Sequence, residues 1–251
     1  SAELTIEDKR LIQRSLNYMG HDLGAPDGVF GPQTKRAIRA ARFSSGLLPG
    51  EQVDLELLRV LPDVRAMERL ESDVARAYDP DTLPPGMETR LEKAIRSLGN
   101  ADILFGYFEG RLYIVTTSDP SHWRLASLTA HAAGGHLATI ATAAENEFLY
   151  RLFSKDDRFI REGRNGEIHG PAFGLFQAPG SPEPGGGWAW VTGEPMSFTA
   201  WSAGNPNDHM SRQHYGRFFR PPDLAGSNRP VRFWDDTSGA PIGVGYIIEI
   251  E

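Results

Sequence analysis

The hydrophobic pattern of this chain first changes period at Asp102, from helical to strand-like, and that switch excludes any fold built from a single kind of element. Before it, apolar residues recur at helical spacing: Ile12, Leu16 and Met19; Thr34, Ala37, Ile38 and Ala41; Leu55, Leu58 and Leu61; Met67, Leu70 and Val74; Met87, Leu91, Ile95 and Leu98. After it come strand-like runs, 103–108 and 111–116, joined by a Glu109-Gly110 turn. Two further helices follow. One opens at Asp119-Pro120 and carries Trp123, Ala126, Ala130 and Ala133; the other is capped by Thr142, with Glu145 at the capping-box position and Phe148, Leu149 and Leu152 inward. The remainder is rich in loops and ends in the strand GYIIEIE, 245–251. The fold class is α+β, and 27 glycines and 18 prolines argue independently against a helical bundle.

Three parts are expected. Residues 1–61 read as three short helices, with Thr5 and Asp8 forming a capping-box pair and Pro32 in the first turn of the second helix. Residues 62–101 read as a helical connector broken by DPDTLPPG, 79–86. Residues 102–251 form the strand-rich domain. The chain starts at Ser1 with no signal-peptide pattern, which reads as a processed or excised piece of something longer.

Composition removes several functions. The net charge of −7 repels polyphosphate, so nucleic-acid and anionic-membrane binding are disfavoured. Cysteine is absent, which eliminates thiol catalysis, disulfides and Cys-ligated metals. No apolar run reaches the ~18 residues of a membrane span. P-loop, dinucleotide and HExxH motifs are missing.

The stretches IQRSLNYMG (12–20), DGVFGPQT (27–34), GLLPG (46–50) and VDLELLRVL (53–61) resemble the peptidoglycan-binding domain family. In DGVFGPQT, Asp27 and Gly28 read as turn formers and Phe30 as a plug beneath the loop. Where that family carries Phe-Gln late in the second helix, this chain has Ala41 and Arg42. Arg36, Arg39 and Arg42 are candidates to pair with stem-peptide carboxylates, against the alternative of a solvated helix face.

The ordered set GGHLATI (134–140), WAWVTGEP (188–195), GNPND (204–208), FWDD (233–236) and GYIIEIE resembles the C-type lectin-like domain in its disulfide-free form. That resemblance implies two helices flanking a twisted antiparallel sheet, with long irregular loops on one side. It also implies a calcium site that holds sugar hydroxyls. Carried over, its ligands are Asn205 and Asn207 around Pro206, where a cis bond would aim both flanking carbonyls at one ion, and Asp235 and Asp236 after Trp234. The acid expected after Asp208 is missing from HMSRQHYGRFF (209–219), although Asp208 itself offers a substitute. The competing reading keeps the scaffold without calcium or sugar. Trp188, Trp190 and Trp201 read as core, while Tyr215, Phe218 and Phe219, placed in the variable loop, are either sugar-stacking surfaces or buried.

Enzymatic readings find no anchor. His131 and His136 are five apart, about 140° around a helix, and make no metal pair; His209 and His214 share that spacing in a polar loop where a coordinated pair stays open. No GxSxG elbow is present. The sequence reads as a non-enzymatic bacterial binding protein for peptidoglycan or another glycan. The periplasm, the cell envelope or secretion is the expected location, with the cytoplasm left open. The alternative is a protein–protein scaffold attached to an upstream enzyme; a weaker third is a hydrolase in the 209–230 loop.

Overall fold

The computed structural model describes residues 4–19, 21, 23–44, 47–61, 83–117, 122–222, 232–241 and 243–251. The first connecting helix, read through Met67, Leu70 and Val74, lies outside them, as do Gly46 and the Asp119-Pro120 helix start. The chain divides into two compact units, residues 1–70 and 71–251. Among the described residues no helix is long and apolar enough to cross a membrane.

In the first unit, α1 (Ile6–Tyr18), α2 (Pro32–Ser44) and α3 (Leu55–Val60) enclose Ile12, Leu16, Ala37, Ile38, Ala41, Leu57 and Leu61. The capping box forms as read: Asp8 N–H donates to the Thr5 hydroxyl at 3.1 Å, and Thr5 N–H to the Asp8 carboxylate at 2.9 Å. One inward set is corrected. Leu55 is 72% exposed and Leu58 41%, because Asp54 caps the helix immediately before Leu55 and the buried pair is Leu57 and Leu61, one helical turn apart. The DGV turn is fastened to α1 by buried Gln13, whose Oε1 accepts Gly28 N–H at 2.7 Å and whose Nε2 donates to Asp27 at 2.8 Å and the Val29 carbonyl at 3.1 Å. Gly28 has φ +80°, and a Cβ there would sit 2.8 Å from Ile6, so both conformation and space require glycine.

In the second unit, nine strands form one sheet among the described residues. They are β1 (Ile103–Phe108), β2 (Arg111–Thr116), β3 (His136–Leu137), β4 (Arg161–Glu162), β5 (Ile168–Gln177), β6 (Trp188–Trp190), β7 (Tyr215–Arg220), β8 (Phe233–Thr237) and β9 (Tyr246–Ile250). The main path runs β1-β2-β9-β5-β7-β8; β3 joins β9, and β4 and β6 join β5. All pairings are antiparallel except β5 with β9. Among the described residues three α-helices belong to this unit: α4 (Met87–Leu98), α5 (Trp123–Ala132) and α6 (Ala143–Phe153). From α4, Leu91, Ala94 and Leu98 share a core with Leu112, Ile114, Trp123, Ala126 and Ile248, while Ile95 is 39% exposed rather than inward. On the other side, aromatic rings interlock: Phe108 on Phe148, Phe153 on Phe218, and Phe173 on Trp234. Gly135 lets β3 lie on β9, since a Cβ at that position would be 2.0 Å from the Glu249 carbonyl.

Candidate functional site

Strand β8 is the edge that the 200–208 loop closes upon. Trp234 N–H donates to the Ala200 carbonyl at 2.7 Å, and Ser202 N–H donates to the Trp234 carbonyl at 2.9 Å. The buried Trp234 indole is held by Asn146 at 2.8 Å. This backbone bridge brings Asn205 and Asn207 to Asp236. The Asp236 carboxylate, fully buried, accepts Asn207 N–H at 3.0 and 3.1 Å and Asp208 N–H at 2.6 Å. Desolvation raises the Asp236 pKa, and these donated bonds oppose the rise. The Asn205-Pro206 peptide is cis. Asn207 Nδ2 donates to Asn205 Oδ1, and Asn205 Nδ2 donates to the Ser202 hydroxyl at 2.7 Å.

Asp235 goes elsewhere. Successive strand residues face opposite sides of a sheet, and Asp235 pairs across the ladder with Arg217, which donates at 2.5 and 3.1 Å. Burial lifts the Asp235 carboxyl to about 6, against the pull of that guanidinium. Calcium demands six to eight oxygens, and this set does not supply them. Both Asp236 oxygens hold backbone N–H groups, Asn205 holds Asn207, and Asp235 is neutralised by an arginine. The residues therefore do not fit the ion that the resemblance implies.

Tyr215 is also relocated. It opens β7 rather than sitting in a loop, and its ring stacks on Trp123 at 4.7 Å and lies against Gly239. Phe218 and Phe219 on the same strand are buried. Period-two burial along YGRFFR, with its irregular close, was the signal obscured by the preceding polar loop.

In the first unit, Arg36 and Arg39 lie exposed on α2, and Arg39 and Lys35 both reach Glu51. Arg42 departs from its expected role: it is 1% exposed. Its guanidinium donates to the Leu48 carbonyl at 2.7 Å, the Gln52 carbonyl at 3.3 Å and both Asp54 oxygens at 2.9 Å. It ties α2 to the cap of α3, and its burial keeps it from a stem peptide at the surface.

Beside the Asp236 network, Glu183, Asp208 and His214 bring ligand atoms within 4.8 Å of one another. His214 was singled out in the sequence only with His209, whose backbone N–H instead donates to Gln213. Spacing could not reveal the true neighbours, because they come from three separate segments. A second grouping, His136, Glu249 and Glu251, sits at β3 and β9. There Glu249 is occupied by Arg111 at 3.1 Å and by the Thr139 N–H at 2.9 Å.

The family model of a putative peptidoglycan binding domain matches residues 6–59, from the start of α1 into the last turn of α3. In the second unit α5 and α6 accompany a sheet that is antiparallel except where β5 meets β9. Similar solved structures include human lithostathine, 19% identical over 59% of this chain and 96% of that one, with a TM-score of 0.41. The C-type lectin CEL-I from Cucumaria echinata is 16% identical over 60% and 97%, TM-score 0.43. The mouse scavenger receptor C-type lectin carbohydrate-recognition domain is 18% identical over 59% and 95%, TM-score 0.42.

Proposed function

We propose that this is a non-enzymatic binding protein of a bacterial cell envelope, periplasmic or secreted, whose helical module holds peptidoglycan. The carrying observation is the family match over residues 6–59, supported by an intact bundle that leaves Arg36 and Arg39 on an exposed helix face. The lectin-like module adds a second contact surface. Two weak sites on one chain strengthen each other by effective concentration where both engage. A calcium-bridged sugar is not part of this reading, because the expected donors are spent on one another and on Arg217. That same observation favours, as a second reading, a lectin-like module that contacts protein.

Co-sedimentation of the full chain with insoluble peptidoglycan, with calcium and again with a chelator, tests this. Equal pelleting in both is expected, with a severalfold loss in an Arg36→Glu, Arg39→Glu double variant. Protein left in the supernatant under both conditions overturns wall binding. Pelleting only with calcium overturns the reading of the Asn205–Asp236 network.

A further inference from the structure

We propose that Glu183, Asp208 and His214 form a binding site for a first-row divalent transition cation, with zinc the best fit. Three observations meet there. The first is geometric: one ligand atom from each residue lies within 4.8 Å of the others, and His214 Nδ1 is 3.5 Å from Glu183 and 3.2 Å from Gln177 Oε1. Four-coordinate zinc with ligands near 2.1 Å separates neighbouring donors by about 3.4 Å, so small side-chain adjustments close the shell.

The second is preorganisation. Gln177 Nε2 donates to the Gly186 carbonyl at 2.9 Å and the Pro184 carbonyl at 3.3 Å, which turns its Oε1 toward the imidazole. These contacts hold the Nδ1 edge of the imidazole toward Glu183. Asp208 is held from three sides. Its N–H donates to Asp236, its Oδ1 accepts Gln213 N–H at 3.1 Å, and its carbonyl accepts Ser211 N–H at 2.8 Å. The turn also places Asp208, Met210 and Ser211 at φ +46°, +60° and +54°, a left-handed region unusual for such residues.

The third is charge. Several buried carboxylates have guanidinium partners, Asp235 with Arg217, Glu147 with Arg151 and Arg232, and Glu145 and Glu249 with Arg111, while Asp236 is met by backbone N–H groups. Among the described residues neither Glu183 nor Asp208 pairs with an arginine or lysine. A divalent cation supplies the missing charge. The donor set of one imidazole and two carboxylates suits zinc and its neighbours rather than calcium, which takes oxygen alone. Three protein ligands leave a fourth position for water or an oxygen of a bound molecule. The side chains of His214 and Glu183 are 42% and 40% exposed, so the ion has an open path.

Calorimetric titration of the untagged full chain with zinc chloride, repeated with calcium chloride, decides the matter. One zinc per chain is expected, with affinity falling at least about 100-fold in His214→Ala and at least about tenfold in Asp208→Asn and Glu183→Gln. His209→Ala should bind as the parent does. Thermal melts of the apo variants should match the parent, and zinc should raise the melting point of the parent and of His209→Ala but not that of His214→Ala. Zinc affinity unchanged by His214→Ala, or calcium binding as tightly at the same residues, overturns the assignment. Because wall binding is read by sedimentation, neither result can be mistaken for the other.

Discussion

At the residue scale, two largely shielded groups on the sheet respond to acid in opposite directions. Burial, helped by nearby Arg217 and Arg161, lowers the His169 pKa to about 4. Below its ordinary pKa near 6.5 the unfolded chain takes up a proton that the folded chain refuses, so stability falls as pH drops from about 6.5 to 4. Asp235, raised to about 6, does the reverse. The folded state holds a proton that the unfolded state has released, and stability rises as pH drops from about 6 to 4. Urea unfolding of His169→Gln and the parent, at pH 7 and pH 4.5, isolates the first effect. The parent should lose about 2 kcal/mol more than the variant on acidification, and parallel slopes would show that His169 is not held neutral. Little of this was legible from residue types. Histidine in a strand gives no sign of burial, and Asp235 looked like a ligand because nothing local announced Arg217 on the neighbouring strand.

At the element scale, the sequence was most informative where one segment carries the whole signal. Thr5–Asp8 capped α1 as read, and the α2 stripe of Thr34, Ala37, Ile38 and Ala41 is buried. The Thr142–Glu145 box is only half formed. Glu145 N–H donates to Thr142 at 3.1 Å, but the Glu145 side chain turns inward to Tyr113 at 2.5 Å and to the Ala141 N–H at 2.7 Å. A tertiary partner outbid the local one, which no spacing rule can foresee. GGHLATI illustrates the opposite case, in which a motif encodes close approach. Gly135→Ala should cost about 2–3 kcal/mol, since a methyl group cannot share space with the Glu249 carbonyl and β3 must lift from β9. A chemical-denaturation midpoint within error of the parent would show that the strand yields without penalty.

At the scale of the whole molecule, the two units can be followed separately, because all five tryptophans lie at or beyond residue 123. Indole fluorescence reports the second unit alone, whereas helical circular dichroism reports both. Arg42→Met removes a buried guanidinium that joins α2 to α3 and should destabilise the first unit by about 2 kcal/mol through its lost charge-assisted hydrogen bonds. The dichroism transition should then shift or split while the fluorescence transition stays in place. If both move together, the units unfold as one. The change of period at Asp102 does not mark the division between the units, because α4, read as part of a connector, packs into the core of the second. The candidate metal cluster was not legible either, because Glu183, Asp208 and His214 meet only after the sheet has assembled.

The order of the central strands also sets how the second unit would bear a pull. β1 and β9 flank β2, each antiparallel to it, so they run in the same direction. Ile103 lies level with Thr116 and Tyr246, whereas Ile250 lies level with Leu112 and Tyr107. Tension applied between the two ends of the sheet therefore draws β1 and β9 in opposite directions along β2. The ladders are loaded in shear, with their hydrogen bonds strained together rather than opened one after another like a zip.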